Sequence, residues 1–177
     1  MQKINTIPLF TINIHRVHVP EWKKEGDRIL SMVPFDNVKA KDTHLTYTDY
    51  FEKSEPVYAK DFLEIVQPYL EEFHKVAKYK FTRVTGLWCQ KYKSRDYHVP
   101  HDHGSTGYSC VFYARMNANV HKSTLFFSPF PAEEGSRESS SIAVDEGDLV
   151  IFPSGLMHMA PPHDSNQERV IISLNLI

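Results

Sequence analysis

The sequence predicts a mostly β fold of the α+β class: a double-stranded β-helix (jelly-roll) barrel buttressed by N-terminal helices. Helical periodicity is confined to the first 79 residues. Residues 80–177 instead contain short runs rich in Val, Ile, Phe and Tyr, separated by turn residues. Many short strands at such spacing are typical of a barrel or sandwich. The 177 residues suit a single domain, with residues 1–79 as support and 80–177 as the barrel core.

The N-terminal part is expected to supply one strand and two helices. The predicted elements are, in order, a strand over residues 4–17, a helix from Glu21 to Ser31, an ordered loop with aromatic anchors over 39–56, and a helix over 59–79. Pro20 suits the first turn of the first helix. Apolar residues recur at helical spacing in the second helix, which Pro68 should kink or split.

The barrel is expected to follow from six further runs. The predicted strands are 81–92, 107–116, 123–130, 140–145, 147–153 and 169–177. One polar stretch, SPFPAEEGSRESSS at 128–141, lacks a strand pattern and is predicted to be an exposed, mobile loop.

Composition and charge argue against several classes of protein. A net charge of −2 offers no electrostatic footprint for a nucleic acid. Cys89 and Cys110 are too few for a disulfide framework and are expected to be reduced. Neither a signal peptide nor an apolar run of membrane-spanning length is found. We therefore expect a cytoplasmic protein, or one in the host cytoplasm if the chain is phage-encoded, with no membrane partner.

The stretch YHVPHDHG at residues 97–104 predicts a metal site. Side chains two residues apart on a strand point to the same face, so His101 and His103 can share one metal while Asp102 faces away. His158 follows a strand and turn that would return it beside this pair. Three facial ligands leave positions open for substrate and oxygen. A closed zinc site would need a fourth ligand, usually a thiolate.

These residues resemble those of Fe(II)- and 2-oxoglutarate-dependent oxygenases. His101 and His103, then His158, then Arg169 match that superfamily's order of a His-x-Asp/Glu pair, a distal His and a basic residue. The run WCQKYKSRDYHVPHDH followed by GYSCVFYA resembles the prolyl-hydroxylase branch, including its small phage and bacterial members. The ending GDLVIFPSGLMHMAPPHDSNQERVIISLN is similar to the family's distal half. The resemblance covers residues 80–177.

The resemblance implies a hydroxylase that uses Fe(II), 2-oxoglutarate and O₂ and releases succinate and CO₂. It implies that Arg169 and Tyr113 hold the distal carboxylate of the oxoacid, through a guanidinium fork and a phenolic donor. Tyr92 is a further candidate contact on the preceding strand. Ser173 and Asn175 alternate with apolar neighbours, so they share the face of Arg169 and are expected to line the pocket.

The substrate is expected to be a peptide or protein, with peptidyl proline favoured by the resemblance, or else a small molecule. Segments 39–55 and 130–141 are expected to fold over it. One departure from the family matters, because His103 occupies the usual carboxylate position. A strand bulge would instead turn Asp102 inward and give a His-Asp-His set.

Two other functions fit part of the pattern. A cupin-type metal enzyme without 2-oxoglutarate is suggested by GDLVIFPSGLMH, but the Glu expected after the His-x-His pair is missing from GSTGYSCVFYARMN. A catalytically silent, metal-binding barrel that acts as an interaction module is the other alternative. A zinc hydrolase is disfavoured because no general base stands beside the ligands.

Overall fold

The computed structural model describes residues 10–36, 44–78, 83–131 and 135–177. Within these residues the chain forms two helices and ten strands. In chain order they are β1 (His15–His18), α1 (Trp22–Ser31), β2 (Tyr47–Thr48), α2 (Ala59–Ala77), β3 (Val84–Tyr92), β4 (His98–His101), β5 (Tyr108–Arg115), β6 (Leu125–Pro131), β7 (Arg137–Ser141), β8 (Asp148–Pro153), β9 (His158–Ala160) and β10 (Arg169–Leu176).

The strands form two antiparallel sheets. The major sheet has the order β1-β8-β5-β10-β3-β2, and the minor sheet has the order β4-β9-β6-β7. The sheets face each other, as shown by the contact between Phe126 of the minor sheet and Phe152 of the major sheet, whose ring centroids lie 4.9 Å apart. This architecture confirms the predicted double-stranded β-helix.

The two faces of the major sheet have different partners because successive side chains of a strand point in opposite directions. On the outer face Phe112 packs against Trp22 of α1 and Phe62 of α2, with ring centroids 4.7 and 5.1 Å apart. The inner face contributes residues such as Tyr92 and Ile171 to a second apolar cluster inside the barrel. The helices thus cover the outer face, and the inner face is left to build a site.

Both helices agree with the sequence prediction in position. Helix α1 begins one residue after the predicted start, and α2 is continuous from Ala59 to Ala77 with Pro68 inside it. The second helix is therefore not split. None of the helices in the described residues is long and apolar enough to cross a membrane.

Several strand predictions are wrong in their limits. The N-terminal strand covers only His15–His18, while residues 1–9 lie outside the described part of the chain. The predicted loop at 128–141 is instead largely a hairpin, because β6 extends to Pro131 and β7 begins at Arg137. Every residue of β7 is exposed at the sheet edge, so its sequence shows no apolar alternation that would identify a strand. The strand predicted at 140–145 ends at Ser141.

Candidate active site

Three histidines meet where the minor sheet closes over the barrel. Strands β4 and β9 pair with His101 directly opposite His158, and His103 follows two residues after His101. Each of the three rings offers a nitrogen, and these nitrogens all lie within 4.8 Å of one another. The cluster is compact enough to coordinate a single ion.

Hydrogen bonds fix the orientation of two of these rings. Nδ1 of His101 donates to the carbonyl of Val99, and Nδ1 of His158 donates to the carbonyl of Leu156; the donor–acceptor distance is 2.8 Å in each hydrogen bond. The Nε2 lone pair of each ring is then free for a metal. For His103, the backbone N–H donates to the carbonyl of Ser154 at a distance of 2.9 Å, and the ring stacks on Trp88.

Burial keeps the three imidazoles neutral. It lowers the pKa of His158 to about 3 and that of His103 to about 4, and positive charge on neighbouring histidines acts in the same direction. Burial also lowers the pKa of His101. Only the neutral imidazole has a lone pair for a metal, so the set is ready to bind at neutral pH. Three nitrogen donors with open positions suit Fe(II) and other first-row divalent metals.

Asp102 lies between two of these histidines but turns away from them. Its Oδ1 accepts a hydrogen bond from the backbone N–H of Gly104 over 2.9 Å, and the residue is exposed. Strand β4 ends at His101, so Asp102 lies in the turn that follows the strand. The hydrogen bond to Gly104 therefore directs the carboxylate outward, and the strand alternation predicted from the sequence does not. The irregularity in β4 lies between His98 and His101, before Asp102.

Two cavities meet at the histidines. The inner cavity, about 20 Å³ in volume, is lined by residues that include Tyr92, Thr124, Met159, Ile171 and Ser173. The mouth, about 400 Å³, is lined by Leu45, Thr48, Tyr50, Phe51, Asp102 and Asn175. Five residues line both cavities: Trp88, Gln90, His98, His101 and His103. The histidine cluster therefore separates a buried chamber from an open one.

Arg169 is a buried cation at the start of β10, with 2% of its surface exposed. Its two terminal nitrogens donate to the carbonyls of Lys122 and Pro161 over 2.6 and 3.0 Å. Its guanidinium carbon lies 4.3 Å from the ring centroid of Tyr92. Within the described part of the chain, its Nε has no hydrogen-bond partner. The group is anchored on one side and retains donors for an anion.

Two buried tyrosines near Arg169 differ in their hydroxyl partners. The hydroxyl of Tyr113 accepts the backbone N–H of Thr124 over 3.0 Å and shares a 2.9 Å hydrogen bond with the hydroxyl of that residue. The hydroxyl of Tyr92 is buried without a partner among the described residues. Tyr92 also lines the inner cavity. The structure thus leaves the hydroxyl of Tyr92, unlike that of Tyr113, without a partner among the described residues.

Some residues of the site were not identified from the sequence. Trp88 stacks on His103 with ring centroids 5.5 Å apart and planes 18° apart. Thr124 and Gln90 line the inner cavity. No motif marks these positions, since a single Trp, Thr or Gln in a strand usually indicates packing. His163 is buried against His121, with ring centroids 4.5 Å apart, and lines neither cavity among the described residues.

A family model for 2OG-Fe(II) oxygenases matches residues 86–175, just over half of the 177-residue chain. The chain belongs to the 2OG-Fe(II) oxygenase family. The match spans the histidine cluster, Arg169 and the strands that carry them. No curated protein sequence matches the chain.

Solved structures of similar fold include proteins from Pseudomonas putida, Streptomyces hygroscopicus and Trichoplax adhaerens. A Pseudomonas putida prolyl-4-hydroxylase is 12% identical and superposes with a TM-score of 0.63, covering 94% of this chain and 92% of that one. HygX from Streptomyces hygroscopicus, with nickel, 2-oxoglutarate and hygromycin B bound, is 13% identical with a TM-score of 0.68 over 94% and 83% of the two chains. A Trichoplax adhaerens prolyl hydroxylase in complex with a peptide fragment of hypoxia inducible factor is 13% identical with a TM-score of 0.63 over 93% and 83%.

Family membership confirms the enzyme class and cofactors predicted from the sequence. The protein is a 2-oxoglutarate-dependent oxygenase that uses Fe(II), 2-oxoglutarate and O₂. Its residues fit these groups, since three neutral imidazoles converge on one point. Among the described residues, Arg169 and Tyr92 also retain buried donors without partners, which suit a carboxylate.

Proposed function

We propose that the protein hydroxylates a C–H bond of a peptidyl proline at a metal held by His101, His103 and His158. The observation that carries the proposal is the convergence of three neutral imidazoles at the junction of an open mouth and a buried chamber. When bound, Fe(II) with 2-oxoglutarate and O₂ supplies the oxidising power for hydroxylation, with release of succinate and CO₂. We also take residues 1–177 as one oxygenase domain, since α1 and α2 pack on the barrel.

In this proposal the distal carboxylate of 2-oxoglutarate lies at Arg169 and Tyr92. The guanidinium supplies positive charge and the Nε donor, and the Tyr92 hydroxyl supplies a second donor. Tyr113 contributes through Thr124, whose side chain lines the same cavity. Ser173 also lines it and offers a further hydroxyl.

The inner cavity must enlarge when the oxoacid binds. Its volume of about 20 Å³ suffices for one water but not for a five-carbon dicarboxylate. Gln90 and His98 stand at the boundary with the mouth, where Nε2 of Gln90 lies 3.4 Å from Nδ1 of His98. This long, weak contact leaves both side chains able to move aside.

The charge of the ligand set matches a dianionic cosubstrate. With His103 in place of a carboxylate, three neutral imidazoles leave the full positive charge of a divalent ion uncompensated by protein. One carboxylate of 2-oxoglutarate would offset part of that charge, while the distal carboxylate would offset the charge of Arg169. Phe152 packs against His158 with ring centroids 4.7 Å apart and keeps water from this side of the site.

The mouth supports a substrate with an apolar ring. Tyr50 and Phe51 are 56% and 62% exposed, and Tyr50 packs edge-on against Trp88, 5.1 Å away. Exposed aromatic side chains beside a metal centre suit a proline ring within a peptide. The Trichoplax relative in fold was solved with a peptide fragment and HygX with hygromycin B, so both peptides and small molecules deserve testing.

The proposal is tested by measuring succinate formed from 2-oxoglutarate under air with Fe(II), with and without proline-containing peptides. We expect turnover by the wild type and by Asp102→Ala, and none by His158→Ala. Mass spectrometry should show one added oxygen on a proline of a turned-over peptide. Loss of turnover in Asp102→Ala would favour the His-Asp-His set instead. Succinate formation without modification of any proline peptide would reject peptidyl proline and favour a small-molecule substrate.

A further inference from the structure

A buried carboxylate lies directly before the exposed aromatic residues of the mouth. Asp49 follows β2 and is 8% exposed, whereas the next two residues, Tyr50 and Phe51, are exposed and line the mouth. We call Tyr50 and Phe51 the aromatic lip. Their rings pack edge-on with centroids 5.1 Å apart. The position of the lip therefore depends on how the chain is held at Asp49.

Both carboxylate oxygens of Asp49 accept hydrogen bonds from other elements of the fold. Oδ1 accepts from the backbone N–H of Cys89 in β3 at a distance of 2.7 Å. Oδ2 accepts from the hydroxyl of Tyr58, the residue before α2, at a distance of 2.8 Å. The side chain of Asp49 thus joins the chain at the lip to the major sheet and to the start of the second helix.

Burial of this carboxylate has an energetic cost. Neither the N–H of Cys89 nor the hydroxyl of Tyr58 carries a positive charge, and burial raises the pKa of Asp49 because it disfavours the anion. Buried carboxylates are ordinarily paired with a cation. An apolar residue would avoid the cost of desolvation, so the placement of an aspartate behind the lip indicates a role other than packing.

The contact with β3 also fixes the lip relative to the histidine cluster. Trp88 comes one residue before Cys89, whose N–H binds Asp49. Its ring packs edge-on against Tyr50 with centroids 5.1 Å apart, and it stacks on His103 with centroids 5.5 Å apart. Trp88 therefore bridges the aromatic lip and the histidine cluster, and Asp49 ties the chain at the lip to the backbone beside that bridge.

We propose that Asp49 is a positioning residue for the substrate, which holds the aromatic lip over the mouth through its contacts with Cys89 and Tyr58. This inference rests on the proposed function, because it takes the mouth as the substrate site. Asp49 is not among the described residues that line the mouth, so it acts through the lip. Substrate affinity should then depend on Asp49, whereas Fe(II) affinity should not.

The first test is limited proteolysis of the folded chain with chymotrypsin, which cleaves after aromatic residues. Asp49→Ala removes both hydrogen bonds, so cleavage after Tyr50 and Phe51, followed by mass spectrometry, should be about tenfold faster than in the wild type. Asp49→Asn should be cleaved at close to the wild-type rate. Its amide oxygen can accept from the N–H of Cys89, and its amide nitrogen can donate to the hydroxyl of Tyr58.

The second test is steady-state kinetics with a proline peptide that the wild type hydroxylates. Asp49→Ala should raise the KM for the peptide about tenfold while kcat stays within about twofold, because the lip contributes to binding and not to the chemical step. The affinity for Fe(II), from anaerobic titration against a competing chelator, should also stay within about twofold of the wild-type value. A purely structural role of Asp49 would not separate these quantities.

Asp148→Ala is the matched control, because it also removes a buried carboxylate with two hydrogen-bond partners. Asp148 is 3% exposed, and its oxygens bond Nδ1 of His18 and the backbone N–H of Asp145, each at a distance of 2.9 Å. Wild-type cleavage and KM in Asp49→Ala, or equal changes in Asp49→Ala and Asp148→Ala, would overturn the inference. If the wild type hydroxylates no peptide, the proposed substrate fails, while the cleavage rates still decide whether Asp49 holds the lip.

Discussion

Two buried tyrosines beside Arg169 provide a matched pair of mutations. Tyr92 and Tyr113 are 0% and 1% exposed, but only the hydroxyl of Tyr113 has partners in the described structure. If the Tyr92 hydroxyl is reserved for 2-oxoglutarate, Tyr92→Phe should separate stability from cosubstrate affinity. Tyr113→Phe should affect mainly stability.

The expected magnitudes follow from these contacts. A buried hydroxyl without a partner costs about 1–3 kcal/mol, so Tyr92→Phe should stabilise the metal-free, oxoacid-free protein by on the order of 1 kcal/mol. A protein of this size then gains roughly 2–4 °C in Tm. Tyr113→Phe leaves the N–H of Thr124 unpaired and should lose about 1–3 kcal/mol.

The affinity for 2-oxoglutarate should change in the opposite order. A hydrogen bond to a charged carboxylate contributes about 1.5–3 kcal/mol, so Tyr92→Phe should raise the apparent Kd for 2-oxoglutarate by roughly 10- to 150-fold. Differential scanning calorimetry and a titration of succinate formation against 2-oxoglutarate measure the two quantities. A lower Tm together with an unchanged requirement for 2-oxoglutarate would show that Tyr92 only packs, and would refute this reasoning.

Three further predictions concern charge, acid and the backbone. Arg169→Ala should raise the required 2-oxoglutarate concentration at least 100-fold, while its affinity for Fe(II) stays within a few-fold of the wild-type value. Equal losses of affinity for 2-oxoglutarate and for Fe(II) would contradict the assigned role. Because burial holds the pKa values of His103 and His158 at about 4 and 3, below the value of about 6.5 in the unfolded chain, the unfolded state binds more protons in acid. The free energy of unfolding of the metal-free protein should thus fall by on the order of 2 kcal/mol per such histidine between pH 6.5 and 5. Identical urea midpoints at pH 7 and 5 would argue against neutral, buried rings. Gly107 has a φ of +82°, and a Cβ there would lie 2.1 Å from the carbonyl oxygen of Leu176. Gly107→Ala should therefore lower the free energy of unfolding in urea by more than about 2 kcal/mol. Wild-type stability of this variant would show that the strand end can shift.

The sequence predicted the structure best where a residue type has few structural or chemical roles. Pro20 marked the start of the first helix and periodic apolar residues marked the second, and both predictions fall within two residues of the observed ends. The spacing of His101, His103 and His158 pointed to residues that the structure brings together. These predictions agree with the structure because they depend on local geometry and on the small number of side-chain types that bind metals.

Other features depend on partners that are distant in sequence. Whether a tyrosine hydroxyl is free or bonded depends on Thr124, which the chain brings to Tyr113 and not to Tyr92. The hydrogen bond from the N–H of Gly104 holds the carboxylate of Asp102. We predicted from strand alternation that Asp102 faces away from His101 and His103, but the cause in the structure is this turn. The stacking of Trp88 of β3 on His103 joins residues 15 positions apart in the chain, and no local pattern in the sequence predicts it.

The central claim is that His101, His103 and His158 hold the metal while Arg169 and Tyr92 hold 2-oxoglutarate. The most direct measurement is an anaerobic crystal structure with Fe(II) and 2-oxoglutarate bound. We predict one metal coordinated by a nitrogen of each histidine, with Asp102 outside the coordination sphere and the distal carboxylate contacting Arg169 and the Tyr92 hydroxyl. A metal bound by Asp102, or an oxoacid held away from Arg169, would contradict it.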